Sequence, residues 1–252
     1  MIPLPLNKNV RLLAEHPCGI FALEKPAGTM THPNAPGVAA AKRAMLVADY
    51  SLKQECYLVR VPGCAGTQKI YVLNRLDSPT SGVVLCSTNE QVARLARQAF
   101  ETDKVKKIYY AVVVGNAPTK AFWRDDLIRE KTRPSEPLRV VIAPRRGMRG
   151  AQEAVCEIRR MGGNAKAALV KLLPHTGRTH QLRVQCAGHR LPIVGDENYG
   201  ITPILPAGVR PRLFLHAAET AISFPWQGVP VNFFAESPLP EDFSRVADFL
   251  AR

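Results

Sequence analysis

Apolar residues in this chain fall mostly into short runs with a period of two, cut by Pro, Gly and Asn, which is the pattern of strands rather than of long helices. Strand character is predicted for residues 19–24, 56–61, 69–73, 83–85, 108–115, 139–143, 153–161, 166–173 and 213–224. Helical periodicity is scarcer. Ser87 and Glu90 form an S-x-x-E capping box, and Val92, Leu95, Ala96, Ala99 and Phe100 follow on one face, with Arg94 and Arg97 opposite. An Ala-rich stretch over 38–53 predicts a second helix, Gly188 ends a short third one, and Pro240 opens a last one that buries Phe243, Val246, Ala247 and Leu250. Residues 116–137 are polar and proline-punctuated and carry no assigned element, and 196–212 reads as loop. Many strands, few helices and no regular alternation of the two predict an α+β fold. It is expected as a single catalytic domain over residues 1–252, a mixed, mainly antiparallel sheet with flanking helices and a basic cleft.

Charge adds a partner class. Thirty-four basic against 21 acidic residues leave +13, so a polyanion is the leading candidate. The placement says more than the sum. Residues 158–195 contain no Asp or Glu but carry Arg159, Arg160, Lys166, Lys171, Arg178, Arg183 and Arg190. A second acid-free stretch, 139–152, sets Arg145, Arg146 and Arg149 around two glycines, a loop suited to a phosphate backbone. The six cysteines are scattered with no Cys-x-x-Cys pair, so neither a zinc site nor a disulfide framework is indicated, and they read as small buried hydrophobes in a reducing compartment. No metal and no cofactor is expected, and His32, with no second histidine at ligand spacing, reads as a polar loop residue. The first residues do not form a signal sequence and no apolar run approaches bilayer length, so a cytoplasmic protein, without membrane attachment and monomeric, is expected.

Chemistry concentrates in residues 74–82, Asn-Arg-Leu-Asp-Ser-Pro-Thr-Ser-Gly, a charged turn between two apolar strands. Pro79, Gly82 and the hydroxyls of Thr80 and Ser81 suggest a shaped turn that holds Asp77 still; an ordinary turn aspartate is the plain alternative. Tyr109 and Tyr110, adjacent in a strand, must face opposite ways. Residues 174–183 read as a strand end, a turn at Gly177 and a helix start. There Arg178, Gln181, Leu182 and Gln185 share a side, and backbone donors favour an anion.

Residues 74–82, the Lys107-Ile108-Tyr109 triplet, residues 176–183 followed by Gly188-His189 and Gly195-Asp196, the Lys25-Pro26-Ala27-Gly28 turn and Leu215-His216-Ala217 occur in one order. In that order and spacing the chain resembles the RluA-type pseudouridine synthases, which isomerise uridine in structured RNA. The resemblance implies Asp77 as the catalytic aspartate, Tyr109 as the active-site tyrosine, Arg178 as the arginine paired with Asp77, and Arg75 as the side chain that fills the space left by a flipped base. Asn74, Lys107 and Leu182 fall within the matching motifs and are assigned, with Arg145, Arg146 and Arg149, to substrate and RNA contact. At Asn74 the family usually has histidine, and the small RNA-binding domain often found ahead of the catalytic one has no room in this chain.

The chemistry implied is self-contained. The N1 glycosidic bond breaks, the uracil turns and rejoins through C5, and composition is unchanged. An ionised carboxylate held by an arginine fork assists departure of the base, by attack on the sugar or by removal of a sugar proton. Partners implied are ribosomal or transfer RNA, with the uridine extruded from its stack. Two rivals differ in class: a nucleoside or glycoside hydrolase, which needs a second carboxylate, and a non-catalytic RNA-folding or ribosome-assembly factor.

Overall fold

The period-two runs become the strands of an α+β protein in a computed structural model that describes residues 4–33, 41–60, 66–102, 104–130 and 139–252. The chain divides into two compact units, residues 1–106 with 217–237, and residues 107–216 with 238–252. The strands of the first are β1 (Arg11–Glu15), β2 (Ile20–Lys25), β3 (Asp49–Ser51), β4 (Cys56–Arg60), β5 (Thr67–Val72) and β6 (Ser81–Ser87). Helix α1 (Glu90–Glu101) follows. The second unit takes β7 (Val105–Val114), β8 (Lys120–Arg129), β9 (Val140–Ile142), β10 (Gln152–Gly163), β11 (Ala167–Pro174), α2 (Gln181–Gly188) and the final α3 (Asp242–Leu250). Between α2 and α3 the chain runs through β12 (Leu215–Trp226) and β13 (Val229–Glu236), mostly in the first unit.

In the first unit β6 is buried at every residue, as the run Val83-Val84-Leu85-Cys86 requires of a central strand. It pairs antiparallel with β2, from Ile20 opposite Ser87 to Lys25 opposite Gly82, and with the end of β5. Helix α1 buries Val92, Ala93, Ala96 and Ala99 into a core shared with Ile20, Ala22, Val83, Leu85, Phe224 and Phe233. This pins both ends of the segment between β5 and β6, the one that carries Asp77.

In the second unit the strand order is β7, β11, β10, β8, β9, antiparallel throughout. Ala111, Val113, Trp123, Ile158, Val170 and Leu172 form its core with Leu182 and Cys186 from α2. Helix α3 packs Phe243, Val246 and Ala247 against Val112, Val194 and Phe214.

Four predictions need correction. Of the described part of the helix expected over 38–53, Ala41 is helical, but from Ala44 the chain bridges to other segments and then enters β3: Met45 N–H donates to the Met30 carbonyl at 2.9 Å, Met30 N–H to that of Arg43 at 2.8 Å, and Asn7 N–H to that of Met45 at 2.8 Å. Ala44, Met45 and Leu46 are all fully buried, and three consecutive buried residues suit a strip gripped on two sides better than a one-faced helix. Residues 38–40 of that helix lie outside the described residues. The cap of α1 is Asn89, whose Oδ1 accepts from Gln91 N–H at 3.0 Å and Val92 N–H at 3.2 Å, while Ser87 belongs to β6. Gly82 lies in β6 rather than in the turn. The unassigned stretch 116–137 contains the ten-residue β8, hidden from the sequence pattern by Arg124, Asp125 and Asp126, whose side chains find partners elsewhere in the unit.

Candidate active site

Asp77 is half-buried, and Asn74, Leu76, Ser78 and Thr80 around it are held by hydrogen bonds. Before it, Asn74 Oδ1 accepts from Leu85 N–H at 2.7 Å, so the residue that departs from the family histidine has a structural task, anchoring the turn to β6. Leu76 is buried. Its N–H donates to Thr31 Oγ1 at 3.1 Å, and its carbonyl accepts from the same hydroxyl at 2.9 Å. After it, Thr80 N–H closes the turn on the Asp77 carbonyl at 3.0 Å. The Thr80 hydroxyl, expected to bond nearby backbone, is buried with no hydrogen-bond partner among the described residues.

Lys25 supplies an anchor that sequence reading overlooked. Its fully buried ammonium donates to the carbonyls of Pro26 at 3.2 Å, Thr29 at 2.7 Å and Ser78 at 2.9 Å, and Gly28 N–H also donates to Ser78 at 2.8 Å. A buried cation satisfied by main-chain carbonyls fixes backbone, so the Lys25-Pro26-Ala27-Gly28 turn acts as a clamp on the residue after Asp77. Its signal in the sequence is only a lysine before Pro-Ala-Gly. Gly82 completes the loop: its φ is +115°, and an added Cβ would stand 2.1 Å from the Ala217 carbonyl oxygen.

The other residues assigned from the sequence, Lys107, Tyr109, Arg178, Leu182 and the loop arginines, lie in the second unit. Tyr109, half-buried on β7 opposite Leu172, packs on the core side, whereas Tyr110 lies opposite Lys171, whose ammonium is 5.9 Å from the Tyr110 ring. The two tyrosines therefore face apart, as alternation demands. Lys107 Nζ donates to the Thr176 carbonyl at 3.0 Å, which brings the first motif residue of β7 to the turn before α2. That turn is held by Gln181, whose Oε1 accepts from Thr176 Oγ1 at 2.8 Å and Arg178 N–H at 3.0 Å.

Arg178 and the α2 glutamines do not share a face. Arg178 precedes the helix, is exposed, and donates from Nε to the Glu153 carbonyl at 2.9 Å, whereas Gln181, Leu182 and Gln185 are buried. The buried arginine of this motif is Arg183, a position sequence reading noted only as charge. It grips Asp196 through Nε and Nη2 at 2.7 Å each, with both side chains at most 5 % exposed. Burial alone would raise the Asp196 pKa. The Arg183 bonds and charge, with N–H groups of Asn198 and Tyr199, outweigh it and hold the carboxyl below its ordinary value.

Arg145, Arg146 and Arg149 are exposed on the loop from β9 to β10. Gly147 N–H donates to Asp126 Oδ2 at 2.7 Å and tethers that loop. Arg149 and Arg178 line one cleft of about 330 Å³ together with Arg129, Gln152 and Thr179, and among the described residues no carboxylate is in its wall. Among the described residues no group of His, Cys, Asp and Glu is arranged to hold a metal ion, and no helix is long and apolar enough to cross a membrane.

Comparison with known proteins agrees with this distribution of motifs. Residues 19–188 match the family model described as RNA pseudouridylate synthase. An uncharacterized RNA pseudouridine synthase of Zymomonas mobilis is 35 % identical over 205 residues, covering 79 % of this chain and 85 % of that protein. The tRNA pseudouridine synthase C of Pectobacterium carotovorum is 32 % identical over 189 residues, covering 69 % of this chain; the match spans 48 % of that protein, about half its length. Among solved structures, human RNA pseudouridylate synthase domain containing 4 superposes with a TM-score of 0.65 at 22 % identity, over 94 % of this chain and 92 % of that one, which shows the shared fold. The chain belongs to the RNA pseudouridylate synthase family, isomerases that convert uridine to pseudouridine in RNA.

Proposed function

From that membership we propose that this chain isomerises specific uridines of a structured RNA, transfer or ribosomal, with Asp77 as the catalytic carboxylate, acting as a cytoplasmic monomer. The observation that carries the assignment is the immobilised loop: Asn74, Leu76, Ser78 and Thr80 are each bonded to fixed backbone or side chains around a half-buried Asp77. A carboxylate so held keeps its aim without reorganising as the glycosidic bond breaks. Asp77 assists departure of the uracil, Tyr109 relays the proton lost from C5 after reattachment, and Arg75 occupies the place of the extruded base. Lys107 and Leu182 shape the region from β7 to α2, and Arg145, Arg146 and Arg149 meet RNA phosphates.

The resemblance gives the counter-charge of Asp77 to Arg178. A second reading, favoured by its exposure, takes Arg178 as an RNA contact instead, the buried guanidinium of the motif, Arg183, being the one that grips a carboxylate, that of Asp196. Arg178 would then serve the arginine-lined cleft as a phosphate contact.

Mapping pseudouridine across total cellular RNA with and without the gene tests the activity and names the target. Loss of one or more sites is expected. The same sites should stay unmodified when only the Asp77→Asn variant is present, and that variant should still bind the RNA; sites restored by it would refute the role of Asp77.

A further inference from the structure

Arg75, two residues before Asp77, is exposed, and its guanidinium meets His32, Nη1 to Nε2 at 3.3 Å. The bonds around this histidine fix its chemistry. His32 Nδ1 is 3.0 Å from the Pro33 carbonyl, a contact only an N–H can make, so Nδ1 carries the proton and Nε2 presents a lone pair. The Arg75 guanidinium has no acceptor and can only donate. One neutral tautomer therefore satisfies both contacts at once.

The ring is also held by its faces. It lies flat against Tyr50, with centroids 4.8 Å apart and planes 8° apart, and Tyr50 meets Tyr57 edge-on at 4.9 Å. Tyr57 Oη donates to the Thr31 carbonyl at 2.6 Å, and Thr31 is the residue that exchanges two hydrogen bonds with Leu76. Thr31 thus fixes the backbone next to Arg75 while His32 meets its guanidinium.

We propose that His32 is a positioning residue for Arg75, holding the guanidinium extended toward the RNA through a neutral acceptor. This rests on the reading above, in which Arg75 enters the space of an extruded uridine. The choice of acceptor matters. A carboxylate partner would neutralise the arginine and bind it too tightly to leave, and solvent alone would let a long side chain sample many rotamers. An imidazole lone pair orders the side chain, leaves its positive charge intact for the phosphates and bases, and releases it easily. The Tyr50 face keeps the imidazole in register when Arg75 moves away.

The test is a double-mutant cycle on purified full-length protein with its mapped RNA, read as single-turnover pseudouridine formation at saturating RNA, with RNA affinity and thermal unfolding measured in parallel. His32→Phe retains a flat ring over Tyr50 and removes the acceptor; His32→Gln retains an acceptor. With His32→Phe the rate is expected to fall about tenfold with affinity changed less than about twofold, and His32→Gln recovers part of the loss. On an Arg75→Ala background, His32→Phe is expected to cost nothing further. If His32→Phe slows the Arg75→Ala enzyme by the same factor as the wild type, His32 acts independently of Arg75 and the proposal is overturned. A lower melting temperature for His32→Phe does not blur this, since a folding defect persists in both backgrounds. If the wild type forms no pseudouridine in any RNA, the functional reading fails and this inference with it; an active wild type with an additive cycle sinks the inference alone.

Discussion

Arg183 and Asp196 form a two-point, fully enclosed ion pair, Nε and Nη2 each 2.7 Å from a carboxylate oxygen, that ties α2 to the loop leading toward β12. Removing one partner strands the other without water. Asp196→Asn is expected to cost about 3–5 kcal/mol of stability, read as a shift in the urea midpoint. Arg183→Lys should recover little, because an ammonium cannot reproduce the fork.

The same pair sets an acid limit. The Asp196 pKa is lowered on folding, so its contribution is complete above the ordinary aspartate value, about 3.9, and is lost as pH falls through the lower folded value. The gap in melting temperature between wild type and Asp196→Asn should therefore be constant from pH 7 to pH 5 and shrink below about pH 4. A gap that widens in acid would contradict the assignment.

Gly82 and Gly147 share a positive φ, +115° and +71°, but only Gly82 has backbone in the way of a Cβ. Gly147→Ala should cost about 1 kcal/mol, the strain alone. Gly82→Ala adds a collision with the Ala217 carbonyl at 2.1 Å and should cost about 3 kcal/mol or more. Equal effects in denaturant unfolding would show that the strand relaxes around the methyl.

The loop arginines should act through phosphate. Replacing Arg145, Arg146 and Arg149 by Gln together is expected to weaken RNA binding and flatten the slope of log affinity against log salt by about 2–3. A loss of affinity with an unchanged slope would place these side chains away from the RNA backbone.

Arg178 separates two roles. As a phosphate contact, Arg178→Ala raises the RNA concentration needed for half-maximal rate by about tenfold and lowers the salt slope by about 1. As the counter-charge of Asp77, it would instead collapse the rate at saturating RNA with affinity nearly intact.

Read from sequence alone, the strands were largely legible, because alternation is written in consecutive residues: residues 69–73, 83–85, 108–115 and 166–173 have their ends within three residues of those of β5, β6, β7 and β11. The motif around Asp77 was legible for the same reason, being nine contiguous residues whose chemical types announce a shaped turn, and Gly82 was marked by its need for a positive φ. The family followed from the order of such local motifs. What the sequence could not hold is which distant backbone completes each one. Residues 44–47 look helical by composition and instead bridge to other segments because Pro5, Asn7 and Met30 take up their hydrogen bonds; Lys25, Thr31 and His32 matter because folding lays them against Leu76, Ser78 and Arg75. Arg178 and Arg183 are five residues apart and equal in charge, and only tertiary packing exposes one and buries the other. Propensity acts over a few neighbouring residues, whereas burial and hydrogen-bond satisfaction are settled by segments that meet only after the chain has folded.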